Sequence, residues 1–413
     1  MPPIPHSPKV VVYHQTHHSR DGQRPVSILP LLGRDGGPPS ATHIVVAAVH
    51  INDARSDKPL TLNDHPPDHP RFDVLWSEVA AAQSKGVRVL ALLGGAAKGS
   101  YERLDVARGD VSKASFETYY GLLSSLLRRK RLDGVDLDVE EQMSLPGIIH
   151  LIDRLRADFG PQFLLTMAPV AAALLRPYDP RCNLSGFSYA DLERERGPEI
   201  AWYHAQFYCG WGDAAQPHMY ATMVGLGQPG SGLGGAGGPP GAPGAGIGGG
   251  VVWPAHRVVM GLVTNPANGP GFVPLDTSAE VMMQLQAATS AAAVAFPGVP
   301  GIRGGQFAGV SGWEYFNSMP GGEDRPWEWA EWMSAILGTR VEADGLPGNM
   351  QTQVQTAKAT STHTASTSAT SAIATPASST AQPTPPEADP DAEGGPDAPV
   401  PAAFEYSTDT EEE

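Results

Sequence analysis

The 413 residues predict an α/β protein: a single (βα)8 TIM barrel followed by a disordered C-terminal tail. Three observations carry that expectation. Eight short apolar runs recur between residues 9 and 317, stripes at helical spacing fall between them, and one run places three acids on a single face of its strand.

The runs are Val10–Tyr13, Ile44–Val49, Val87–Leu93, Leu132–Val139, Phe163–Ala168, Trp202–Tyr208, Val258–Val263 and Phe307–Tyr315. A strand with one wet face alternates apolar and polar residues, whereas a parallel strand covered on both faces reads as a near-continuous apolar segment. Between the runs, Phe72, Leu75, Trp76 and Val79 share one helical face. Phe116, Tyr119, Leu122, Leu123, Leu126 and Leu127 form a second stripe, ending in Arg128–Arg131, where cations suit a helix C-terminus. Ile148, Ile149, Ile152 and Leu155 form a third, and Val281, Met282, Leu285 and Ala288 a fourth. Trp327, Trp329, Trp332 and Ile336 close the series as helix-to-barrel packing. Strand–helix alternation on this scale closes into a barrel. An open doubly wound sheet is the alternative, but no Gly-x-Gly-x-x-Gly turn follows the first strand.

Two segments fall outside that pattern. Residues 225–250 are almost entirely Gly, Pro and Ala and read as a flexible insertion in a barrel domain of residues 1–340. Residues 341–413 are Ser/Thr/Pro-rich and then acidic, and are expected to be a disordered tail. The tail's twelve acids and one base, Lys358, account for −11 of the net charge of −16, leaving −5 for residues 1–340. The basic footprint that nucleic acid requires is absent. No stretch approaches the roughly 20 apolar residues that span a bilayer. Met1–Pro8 shows neither a charged n-region nor an apolar h-region, and Cys182 and Cys209 make no disulfide framework. A cytoplasmic monomer is therefore expected, in which the Asn183-Leu184-Ser185 sequon would stay unused.

The chemistry concentrates in Leu132-Asp133-Gly134-Val135-Asp136-Leu137-Asp138-Val139-Glu140. Side chains alternate along a strand, so Asp136, Asp138 and Glu140 face one way, into a barrel, while Val135, Leu137 and Val139 face the helices. Unpaired buried carboxylates are costly, and crowding them pushes at least one pKa upward. A protonated acid beside an ionised partner suits general acid catalysis. Three acids could also offer oxygen ligands to a divalent metal, or form a solvated edge; the bracketing apolar residues speak against the edge.

Asp133-Gly134-Val135-Asp136-Leu137-Asp138-Val139-Glu140 resembles the D-G-x-D-x-D-x-E signature of glycoside hydrolase family 18. Leu92-Leu93-Gly94-Gly95 is similar to the family's third-strand S-x-G-G motif, Met167-Ala168-Pro169 to its fifth-strand segment, and Gln206-Phe207-Tyr208 to the sixth-strand segment that carries a site tyrosine. Trp313 looks like the eighth-strand tryptophan beneath the sugar. The resemblance spans residues 8–338 and is nearest to fungal endo-β-N-acetylglucosaminidases, on Val12–Thr16, His50-Ile51-Asn52, Asn63–Asp68, Gly94–Ala97 and Asn183–Ser188.

The resemblance implies substrate-assisted retention on an N-glycan or chitooligosaccharide, with no cofactor and no metal. Glu140 would be the acid and then the base, Asp138 would orient the 2-acetamido N–H, and Asp136 would share a proton or hydrogen bond with Asp138. Tyr208 would donate to the acetamido oxygen. Gly94, Gly95, Met167, Gln206 and Trp313 would bind substrate. Two positions depart from the family: Leu92 replaces a serine, removing a hydroxyl from the carboxylates, and Cys209 stands where chitinases carry Asn or Asp. Three readings follow: an endo-β-N-acetylglucosaminidase, a chitinase, and a non-catalytic glycan-binding barrel, which retention of Asp138 and Glu140 opposes. His14, His17 and His18 suggest metal spacing, but lack a separated third ligand and read better as loop histidines at the barrel mouth. With Gln15, His50 and Asn52 they could line a polar sugar pocket.

Overall fold

The computed structural model describes residues 8–226, 252–295 and 306–339. Each apolar run contains one strand: β1 (Lys9–His14), β2 (His43–Ile51), β4 (Arg88–Gly94), β5 (Gly134–Asp138), β6 (Leu164–Met167), β7 (Trp202–Gln206), β8 (Val258–Val263) and β9 (Gly309–Trp313). They pair in parallel in that order, and β9 returns to β1, closing the barrel. A ninth strand, β3 (Leu60–Leu62), lies antiparallel on the end of β2, with Val49 opposite Leu62 and Ile51 opposite Leu60. The expected insertion (but for Gly225 and Leu226) and the expected tail lie outside the described residues.

The helical stripes form α1 (Asp73–Ser84), α2 (Lys113–Arg129), α3 (Leu145–Phe159), α7 (Leu275–Ala295) and α8 (Glu328–Leu337); three shorter helices, α4 (Ala171–Leu175), α5 (Tyr189–Arg196) and α6 (His218–Met223), complete the series. Ser112 and Ser144 cap α2 and α3, each side chain accepting a backbone N–H at 3.0 Å. On α7 the buried stripe is Val281, Met282, Leu285 and Thr289; Ala288 is exposed, one position off the expected face. The connection after β1 holds only 3-10 turns, Leu29–Leu32 and Arg34–Gly36, where Pro30, Gly33, Gly36 and Gly37 oppose a longer helix.

Alternation along each strand divides the packing. Val10, Val12, Val135, Leu137, Leu165 and Met167 join the helices in one large apolar layer. The barrel interior holds a much smaller cluster of Val11, Tyr13, Val45, Ala47, Leu90 and Leu92. Leu164 on β6 joins the interior packing, and Asp136, Asp138, Thr166, His204, Gln206, Ser311 and Trp313 bring polar and aromatic groups to the inner faces of β5, β6, β7 and β9.

Candidate active site

Asp136 and Asp138 point into the barrel from β5, and Glu140 follows two residues beyond the strand's C-terminal end. Asp136 is fully buried. The Tyr13 hydroxyl donates to one of its oxygens at 2.7 Å and the Thr166 hydroxyl to the other at 2.6 Å. Burial pushes its carboxyl up to about 6, opposed by these two hydrogen bonds. Asp138, also buried, is raised well above the ordinary carboxylate range by burial and then by Glu140 and Asp136. Burial raises Glu140 too, against a hydrogen bond from Gln206. The Gln206 amide joins the two acids, 3.2 Å from Asp138 and 3.2 Å from Glu140, and is itself held by the Ala168 carbonyl at 2.8 Å.

Gly94 and Gly95 lie behind Asp138. Gly94 has φ +96°, and a Cβ there would come within 2.5 Å of both the Asp138 carbonyl and the Tyr101 ring. The Gly95 N–H donates to that carbonyl at 2.9 Å. These glycines therefore set the acid's backbone instead of lining the pocket. Glu141 anchors the adjoining loop by accepting the Gly99 and Tyr101 N–H groups at 2.7 Å each.

The pocket beside Asp138 is lined by Tyr13, Ala168, His204, Gln206, Tyr208 and Trp313, among others. Trp313 packs edge-on to Tyr13 at 5.7 Å. Burial and the neighbouring acids keep the Tyr208 phenol protonated, far above its usual pKa. Met167 is not in this pocket: alternation on β6 turns it to the helix side, fully buried, and Ala168 takes the pocket position.

The chain is 38% identical to a fungal endo-beta-N-acetylglucosaminidase from glycosyl hydrolase family 18, matching 80% of this chain and 98% of that one with a TM-score of 0.63. The chain belongs to glycoside hydrolase family 18. This family 18 hydrolase is also 44% identical to the chitinase ChiC from Aspergillus fumigatus, over 79% of its own length and 99% of that chain, with a TM-score of 0.60. A putative chitinase A from Streptomyces coelicolor, at 17% identity, TM-score 0.52 and coverage of 80% and 98%, shares the fold. No family model and no curated protein matches the chain.

Several working groups of this hydrolase escaped the sequence reading. Tyr13 and Thr166 lie inside apolar runs that give no sign of this role, yet they hold Asp136 where Leu92 offers no hydroxyl. His204 accepts a hydrogen bond from the Trp202 indole at 2.8 Å, and burial holds its pKa well below that of a free imidazole. Glu314, directly after Trp313, accepts the Thr16 N–H at 2.8 Å and the Thr16 hydroxyl at 2.7 Å, clamping the β1 loop to the end of β9. Two residues expected in a polar sugar pocket lie elsewhere. His14 and His17 are buried, packed on each other and against Tyr315 and Phe72. Among the described residues no group of three His, Cys, Asp or Glu side chains could hold a metal ion.

Proposed function

We propose that this hydrolase is an endo-β-N-acetylglucosaminidase that cuts the GlcNAc-β-1,4-GlcNAc core of N-glycans by substrate-assisted retention. The observation that carries the chemistry is the pair of buried, upshifted carboxyls, Asp138 and Glu140, sharing one Gln206 amide. Raising a carboxyl's pKa favours the protonated form that a general acid must hold. Glu140 gives its proton to the glycosidic oxygen as the C1–O bond breaks. The 2-acetamido carbonyl oxygen of the same sugar bonds to C1 and forms an oxazolinium ring, with Tyr208 donating to that oxygen. Asp138 accepts the acetamido N–H, beside Asp136, whose two oxygens are held by the Tyr13 and Thr166 hydroxyls. Glu140 then removes a proton from water, whose oxygen opens the ring at C1; two inversions leave the configuration unchanged.

The glycan class rests on the aromatics. A chitin chain needs several flat platforms in a row. Of the described tryptophans, only Trp313 lines the pocket. Trp253, Trp329 and Trp332 are buried, and the Trp76 indole is tied to the Pro67 carbonyl. A single platform suits a short pocket for a branched glycan. The chitinase reading is favoured by the 44% identity to a chitinase.

A paired assay on a high-mannose glycoprotein and a chitin oligomer tests the proposal. Release of the glycan, leaving one GlcNAc on asparagine, with little chitin cleavage, is expected. Efficient chitin hydrolysis without deglycosylation would overturn it in favour of the chitinase. Glu140→Gln should lower turnover by about 10²–10⁴ while retaining sugar binding; activity above about a tenth of wild type would remove Glu140 from the acid's role.

A further inference from the structure

A second polar cluster sits at the mouth of the barrel, outside the carboxylate pocket. Arg71 lies in the 3-10 turn Pro70–Phe72 that leads from β3 into α1, and His18 lies in the loop after β1. The loop after β1 leaves the C-terminal end of its strand, the barrel end that carries Glu140, and β3, antiparallel on the C-terminal part of β2, leads the other loop beside it. One Arg71 Nη stands 3.5 Å from His18 Nδ1, and the Arg71 N–H donates to His69 Nδ1 at 3.2 Å. The His69 and His65 rings lie 4.7 Å apart.

Arg71 differs from its peers in having no anion. The other half-buried arginines among the described residues, Arg103, Arg154, Arg156, Arg196 and Arg257, each face a carboxylate within ion-pair distance. Arg71 faces none, and its Nε is buried without a hydrogen-bond partner. The acids nearby are committed or exposed: Asp68 is held by Arg129 and Lys130, and Asp64 acts on His65 alongside Lys58. Burial and Arg71 keep His18 and His65 below the usual imidazole pKa, helped by His65 at His18 and by His69 at His65, so at neutral pH they are uncharged rings with an N–H to give. A guanidinium with no carboxylate partner and an Nε without a hydrogen bond has donors to spare, and its planar fork fits an oxyanion in bidentate fashion.

The two loops that carry the cluster are tied to each other and to the end of β9. Asn63 donates to the Gln15 carbonyl at 2.8 Å, and the Gln15 and Thr16 N–H groups bind Glu314, the neighbour of Trp313. We infer that Arg71, with His18 and His65, forms an oxyanion-binding site that receives a phosphate or carboxylate substituent on the substrate glycan. The substrate half of this inference rests on the N-glycan reading; the anion half does not.

Two measurements on the full chain test it. The first titrates 13C-histidine-labelled protein with inorganic phosphate at constant ionic strength and follows the His18 and His65 imidazole signals. Saturable shifts are expected in the wild type, weakened about tenfold or more by Arg71→Gln, with Arg71→Lys between them because it keeps charge without the fork. Non-saturating shifts, or shifts unchanged in Arg71→Gln, would overturn the site. The second compares kcat/KM on a neutral high-mannose glycopeptide and on one bearing mannose phosphate. Wild type should favour the phosphorylated substrate, and Arg71→Gln should lose that preference while cleaving the neutral one normally. Equal cleavage of both by wild type, with phosphate still binding, would assign the site to free anions and overturn the substrate half. If neither glycopeptide is cleaved, the N-glycan reading fails and the phosphate titration still decides the anion site.

Discussion

Asp136 shows how little separates a poised acid from an inert one. Two hydroxyls donate to it, and burial works against them, leaving it to titrate about 6. Thr166→Val keeps the shape and removes the 2.6 Å donor. The ionised form then loses a partner, so the pKa rises and the acidic limb of the kcat/KM profile should move up by about one pH unit. A limb that stays in place would show that Asp136 ionisation does not govern catalysis. The three acids themselves were legible from sequence, because strand alternation is local. Their donors were not: Tyr13 is 123 positions from Asp136 and Thr166 is 30, and only barrel closure brings them together. Met167 was misplaced for a related reason, since a motif names neighbours in sequence without saying which of two adjacent residues turns inward.

Among the elements, β4 meets β5 closely at Gly94, directly behind Asp138. Gly94→Ala would place a methyl 2.5 Å from the Asp138 carbonyl at a φ that L-residues avoid. Gly86, at φ +81° with nothing within 4 Å, isolates the conformational part of that cost. Gly86→Ala should therefore cost about 1 kcal/mol and keep activity, while Gly94→Ala should cost more and lose turnover as Asp138 shifts. Denaturant midpoints and rates for the two variants check this, and equal losses would sink it. The barrel strands are legible as continuous apolar runs and the longer helices from their period. β3, at three residues, is too short to carry a period, and the helix expected by alternation after β1 yields to the local Pro and Gly.

At the scale of the molecule, the buried titrating groups pull stability in opposite directions. Asp136 titrates about 6 when folded against 3.8 when free. Its stabilising contribution is complete below about pH 4 and is lost as pH rises through about 6. His17 and His43, held near 3 against 6.5, contribute fully above about pH 6.5 and lose that as pH falls. Asp136→Asn should therefore raise Tm near about pH 8 and give almost no gain near about pH 4; a gain independent of pH would contradict the linkage. The same division has an evolutionary consequence. Cohesion comes chiefly from the apolar layer between strands and helices, while the inner faces of the strands hold smaller apolar clusters beside the polar and aromatic groups around the acids. Inward-facing substitutions can therefore accumulate and be sorted by selection on new sugars without unravelling the protein that bears them.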